Sequence, residues 1–228
     1  MTLLAGCSGK NTGKPKYLWV AIDANFERLS TKDSICFYLD KMKETGFNGV
    51  VIDVKGVEGS VLYRSDFIPK LTSVGNFTCD RDWDYLGYFI EQARKRKMGV
   101  CVSATIFPIG SPYHGAGTVY NNPELKALTC LEYTPDGMKK IEDDPSQVAA
   151  FMNPVLKGSR DYAFRMLKEL FSRYDFDAFC LDYCRYAGPQ CDFSDSSRTA
   201  FENWLGKPVE NFPSDIFTYG SDGSRIPG

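Results

Sequence analysis

Apolar residues along this chain follow two alternating rhythms. Short runs rich in β-branched and aromatic residues occur at Tyr17 to Asp23 (YLWVAID), Val50 to Val54, Met98 to Ile106 and Ala178 to Asp182 (AFCLD), and they predict four strands. Between them lie longer stretches with apolar residues three and four apart. Ser30 opens a helix to about Thr45, with Ile35, Tyr38, Leu39 and Met42 on one face, and Gly46 ends it. Asp82 opens a second, carrying Tyr85, Leu86, Phe89, Ile90 and Ala93. Ser159 opens a third, with Ala163, Met166, Leu167, Leu170 and Phe171 expected on its buried face, and Ser194 to Leu205 is the fourth. Strands that alternate with helices predict parallel βαβ units.

The loops indicate which end of the sheet works. Helix-to-strand links are short (Gly46 to Asn48, Lys97 to Gly99, Tyr174 to Asp177). Strand-to-helix links are long: Lys55 to Arg81, and Phe107 to Gly158 with a hairpin turn at Pro135-Asp136-Gly137. Long loops on one side only are the mark of a (β/α)8-type enzyme with its site at the C-terminal strand ends. A whole barrel takes roughly 250 residues, and here the 228 residues hold only four units. The expectation is therefore half of a parallel TIM-type barrel over residues 17–228, cut from a longer protein. Its edge strands would lie open and promote self-association.

Candidate chemistry gathers at the strand ends. In the last strand Ala178, Cys180 and Asp182 share one face and Phe179 and Leu181 the other. Asp182 should then point into the barrel mouth, where neighbouring Arg185 would hold it ionised; the plainer alternative is a carboxylate that only caps its loop. Asn25 follows the first strand with Asp23. Asp53 and Lys55 share a face at the end of the second, as ligand contacts or as a simple ion pair. His114 in a long loop, Asn153 before the third helix and Tyr186 complete the expected substrate-binding set. Asp80, Asp82 and Asp84 are better explained by helix capping than by a metal, and no metal or cofactor is expected.

Charge narrows the partners. Lys and Arg (27) nearly balance Asp and Glu (29), leaving −2, and mean hydropathy is −0.30. Nothing here draws a nucleic acid. Eight cysteines and one histidine without a C-x-x-C pair argue against structural zinc. Mostly buried free thiols are the simplest reading, with Cys184 and Cys191 near enough in sequence to be the alternative disulfide pair. Leu4-Ala5-Gly6-Cys7 resembles a bacterial lipobox, with residues 1–16 as a clipped signal and tether. The membrane would then be met only through a lipid on Cys7, on the periplasmic or outer surface. Gly13-Lys14 is not a phosphate loop, since Pro15 fills the Ser/Thr position.

The segment FMNPVLKGSRDYAFRMLKELFSRY with DAFCLDYCRY (Asp177 to Tyr186) resembles the glycosyl-hydrolase-like family known as family 10 glycosylhydrolases, or α-amylase-like lipoproteins. YLWVAIDANFERLSTKDSICFYLDKMKETGFNGVVIDVKGVEGSVLY and ENFPSDIF resemble other parts of the same family. The resemblance implies a (β/α)8 barrel, export and a carbohydrate substrate such as a cell-wall glycan. It places Asp182 at the family's strand-end aspartate, Arg185 and Tyr186 at its R-Y, and Asn153 at its N-P. Amylase-like enzymes carry arginine two residues before their nucleophile, where this chain has Cys180. Two functions follow as expectations: glycoside hydrolysis with Asp182 catalytic, or non-catalytic glycan binding by the same barrel.

Overall fold

The computed structural model describes residues 14–228. Four strands form one sheet: β1 (Tyr17–Val20), β2 (Gly49–Lys55), β3 (Gly99–Thr105) and β4 (Ala178–Asp182). They lie in sequential order and every pairing is parallel. The crossover helices are α1 (Lys32–Glu44), α2 (Tyr85–Lys95) and α3 (Lys157–Arg173), and α4 (Asp195–Leu205) follows β4. The architecture is four consecutive βα units of the TIM-barrel type, a half barrel. Cys7 and the first part of the expected tether lie outside the described residues.

Local chemistry shifts several expected boundaries. Thr31, not Ser30, caps α1, because Thr31 and Ser34 satisfy each other's backbone N–H groups in a capping box. Asp84, not Asp82, caps α2 by accepting from the Gly87 N–H, while Asp80 pairs with Lys70. Helix α3 begins two residues before Ser159, which is buried. Ser194 caps α4 as expected. The first strand ends at Val20 rather than Asp23, since Ile22–Asn25 winds into a single helical turn that carries Asp23 past the sheet.

Alternation along the strands separates core from site. Val50, Ile52, Val100 and Val102 are fully buried on the outer face, with Ile35 and Leu39 of α1 and Leu86, Phe89 and Ala93 of α2 in the same core. Each of these side chains except Ala93 contributes roughly 1.5–3 kcal/mol by leaving water. The inner face carries Tyr17, Trp19, Val51, Asp53, Cys101, Ser103, Cys180 and Asp182. At its lower end the Tyr17 ring lies across Gly49 and Gly99; a methyl group on Gly49 would come 2.5 Å from that ring.

Both outer strands, β1 and β4, lack a second neighbour among the described residues. Leu181 on β4 and Phe171 on α3 are 54% and 57% exposed. This corrects the expectation that Phe171 faces the core: it lies largely exposed, its ring 5.1 Å from that of Phe176 and 5.3 Å from that of Phe179.

The long loops lie after β2 and β3. The first holds a small hairpin, Ser73–Val74 with Phe77–Thr78; the second holds Leu131–Thr134 with Gly137–Lys140 around the expected turn. The two excursions lock together at Gly117. Its φ is +129°, and a Cβ there would lie 2.4 Å from the Gly110 Cα and 2.9 Å from the Glu58 carbonyl oxygen. The next residue, Thr118, donates its N–H to Glu58 O at 2.9 Å. Gly117→Ala is therefore expected to cost about 3 kcal/mol from strain and overpacking. Chemical denaturation would read this as a lower midpoint; an unchanged midpoint would show that the backbone crossing relaxes freely.

Candidate active site

Strand alternation brings two carboxylates, Asp53 and Asp182, to the mouth, and the helical turn after β1 adds Asp23. Asp53 on β2 lies opposite Ser103 on β3, and Thr105 lies opposite Asp182 on β4, so the acids rise from one inner face. Asp53 is the perturbed member. Burial pushes its carboxyl above the usual range; Trp19 and Ser103 oppose the shift, and the charges of Asp182 and Asp23 add to it. Its Oδ1 and the Ser103 hydroxyl are buried without a partner at full hydrogen-bonding geometry, so those polar groups offset the burial only in part. Asp182 accepts the N–H of Tyr183 on Oδ1 at 2.9 Å.

Asp23 links this face to a cleft of about 510 Å³, lined also by Glu58, Ser60, Asn76 and His114. His114 is exposed, with Nδ1 3.3 Å from Ser111 Oγ and 4.0 Å from Glu58 Oε1. The histidine therefore lies in the cleft beside Asp23, not beside Asp182. Asn25 stands behind the mouth, donating to Ala21 O at 2.9 Å and accepting from Arg28.

Four expected contacts are engaged within the protein itself. Lys55 does not share the Asp53 face, because the register slips between the two residues. It is 1% exposed and its Nζ donates to Thr105 O at 2.8 Å, Thr105 Oγ1 at 3.3 Å and Pro108 O at 2.6 Å. Burial depresses its pKa to about 7. With all three N–H bonds spent internally, Lys55 presents nothing to a ligand. Asn153 is buried, donating to Asp192 Oδ2 at 2.7 Å and to the Ser194 and Ser197 hydroxyls, which ties the start of α3 to that of α4. Arg185 forms no ion pair with Asp182; its guanidinium lies 4.9 Å from the Tyr183 ring and donates to the carbonyls of Tyr186 and Ala187. Tyr186 is half-buried with its hydroxyl 3.4 Å from Asn153 Oδ1, and burial raises its pKa.

Other residues of the mouth escaped the sequence reading. Trp19 and Ser103 could have been found by extending to β1 and β3 the alternation applied to β4. Tyr183 could not: it adopts φ +47°, a costly conformation for a residue with a side chain, and stacks on Phe151 with centroids 5.6 Å apart. That strain, next to Asp182, fixes the carboxylate's immediate neighbour. Among the described residues no group of three or more acidic, histidine or cysteine side chains could hold a metal, and no helix is long and apolar enough to cross a membrane.

Residues 16–203 match the family described as glycosyl hydrolase-like 10. The chain belongs to that family. This glycosyl hydrolase-like chain is 32% identical over 222 residues to an S-layer-related protein of Niallia circulans, covering 92% of itself but only 14% of that protein. Among solved structures it is similar to α-L-fucosidase isoenzyme 2 of Paenibacillus thiaminolyticus, with TM-score 0.57 and 14% identity over 87% of this chain and 27% of the fucosidase. A hypothetical protein of Ruminiclostridium thermocellum gives TM-score 0.52 and 17% identity over 84% and 89% of the two chains. At these identities the structural likeness establishes the fold alone. The family match and the structural likeness agree on a glycoside hydrolase-like fold for this chain.

Proposed function

We propose that this chain contributes the acid-bearing half of a glycoside hydrolase site acting on a polysaccharide or cell-wall glycan. One observation carries the reading: Asp53 is raised by burial in the company of Asp182 on the same inner face. Glycoside cleavage needs two carboxyl groups with different proton affinities. Asp53 is suited to hold a proton and give it to the leaving oxygen. Asp182 is suited to act across the sugar ring, on the anomeric carbon or on an attacking water. They stand two strands apart and two residues offset along them, on the order of 12 Å between backbones. Once the side chains converge, that fits the wider pair of about 6.5–9.5 Å used for inversion better than the ~5 Å pair used for retention.

The rival reading is non-catalytic glycan binding, in which the acids and aromatic rings only hold sugar. The relative described as S-layer-related is compatible with it, as with an exported hydrolase. A panel of cell-wall and storage glycans, incubated with the protein in its natural full length, separates the two. Release of reducing ends supports hydrolysis; retention on immobilised glycan without release supports binding; neither outcome on any glycan sinks both.

We also propose export with lipidation at Cys7, supported by the Leu4-Ala5-Gly6-Cys7 sequence. Protein expressed from its native upstream start should partition into detergent, and Cys7→Ser should move it to the aqueous phase. Identical partitioning of both forms would count against the anchor.

A further inference from the structure

Two buried cysteines meet beneath the mouth loops. Cys130, fully buried, precedes the hairpin strand Leu131–Thr134, and Cys191, 9% exposed, lies in the loop after β4. These segments pair antiparallel. Glu132 lies opposite Cys191, Tyr133 N–H donates to Gln190 O at 3.0 Å, and Phe193 N–H donates to Leu131 O at 2.9 Å. Two-residue alternation sets Cys130 and Glu132 on one side of their strand, the side that Cys191 faces. The Cys191 thiol lies 3.6 Å from Glu132 Oε1. Cys130 is held in place by its N–H to Phe151 O at 2.9 Å and by its carbonyl, which accepts from Ile141 N–H at 3.1 Å. The two thiols are near enough that Cys130 is the largest influence on Cys191, driving its pKa far up, with burial next.

We infer that Cys130 and Cys191 are a disulfide-forming pair that staples the loop after β4 to the excursion after β3. The step is thiol–disulfide exchange with a small-molecule disulfide such as oxidised glutathione. In transiently opened molecules, where burial no longer suppresses its thiolate, Cys191, the more accessible, gives its proton to solvent and attacks one sulfur of the oxidant, giving a mixed disulfide and one glutathione thiolate that takes up a proton. Cys130 then attacks the Cys191 sulfur and displaces the second. Two protein thiols lose their hydrogens, two glutathione thiols gain them, and the electrons balance.

This pairing differs from the one that sequence proximity suggests. Cys184 is exposed, while Cys191 is buried against Cys130. The closed loop of about 60 residues takes in α3 and β4, so chain-entropy arguments predict a substantial gain in stability, roughly 10 °C in Tm for a chain of this size.

The test uses the 228-residue chain incubated with oxidised glutathione, alkylated under denaturing conditions and digested without reduction. A linked peptide pair containing Cys130 and Cys191, two hydrogens lighter than its free parts, is the expected product; it should survive Cys184→Ser and vanish in Cys130→Ser. Oxidised wild-type protein should melt about 10 °C above the reduced form. This comparison needs no variant that might fail to fold. Alkylation of both cysteines in the oxidised sample, or a Cys184–Cys191 link, overturns the inference.

Discussion

Asp182→Asn in the full-length protein is expected to lower glycan hydrolysis by roughly 10³-fold or more, with melting temperature unchanged. The substitution keeps shape and the N–H bond from Tyr183 but removes the charge that a developing oxocarbenium ion or an attacking water requires. Asp53→Asn should lower the rate comparably for another reason, loss of the transferable proton. Its stability signature also differs. The folded pKa of Asp53 lies above its unfolded value, so the folded state holds this proton more tightly, and stability is lost as pH rises through the folded value. Above that value the ionised, buried Asp53 costs stability, and there asparagine should raise the melting temperature while lowering turnover. Retained hydrolysis in Asp182→Asn, or a lower melting temperature in Asp53→Asn, would remove these roles.

Lys55→Ala is expected to destabilise the fold by about 3–5 kcal/mol, on the order of 10 °C in Tm, through a cavity and the orphaned carbonyls of Thr105 and Pro108. The pH dependence has a definite sign. Burial lowers the folded pKa to about 7 from an ordinary 10.5, so between these values the unfolded chain binds the additional proton. Stability should rise from pH 7 towards pH 10.5 as the unfolded lysine loses that proton, and the penalty is fully present below pH 7. The three acceptors around Nζ favour the ammonium and temper the effect without reversing it. Thermal melts across this range, wild type against Lys55→Met, measure the contribution; equal slopes would show that Lys55 keeps its proton throughout.

The parts of this architecture that depend on pattern were legible in the sequence. Alternating rhythms located all four strands and helices, and loop lengths identified the face that carries the long excursions. Period-two spacing put Asp182 on the inner surface beside Cys180. What the sequence hid depends on geometry between distant segments. The register slip after Asp53 sends Lys55 into the core, and no local feature of IDVKG announces it. Asn153 looked free because its partners, Asp192, Ser194 and Ser197, lie about forty residues on. Arg185 stands near Asp182 in sequence, yet the positive φ of Tyr183 turns the chain and brings the guanidinium to an aromatic ring instead.

The two faces of these strands also bear on how such a protein changes over generations. Val50, Ile52, Val100 and Val102 face the helices, while Asp53, Ser103 and Asp182 face the mouth, and the two sets interleave along the same few residues. Selection for a folded chain acts on one set and, on the function proposed here, selection for a new sugar acts on the other. A lineage can therefore exchange mouth residues and the loops above them while inheriting its scaffold intact. Drift in ligand preference should outpace drift in the packed positions a single residue away.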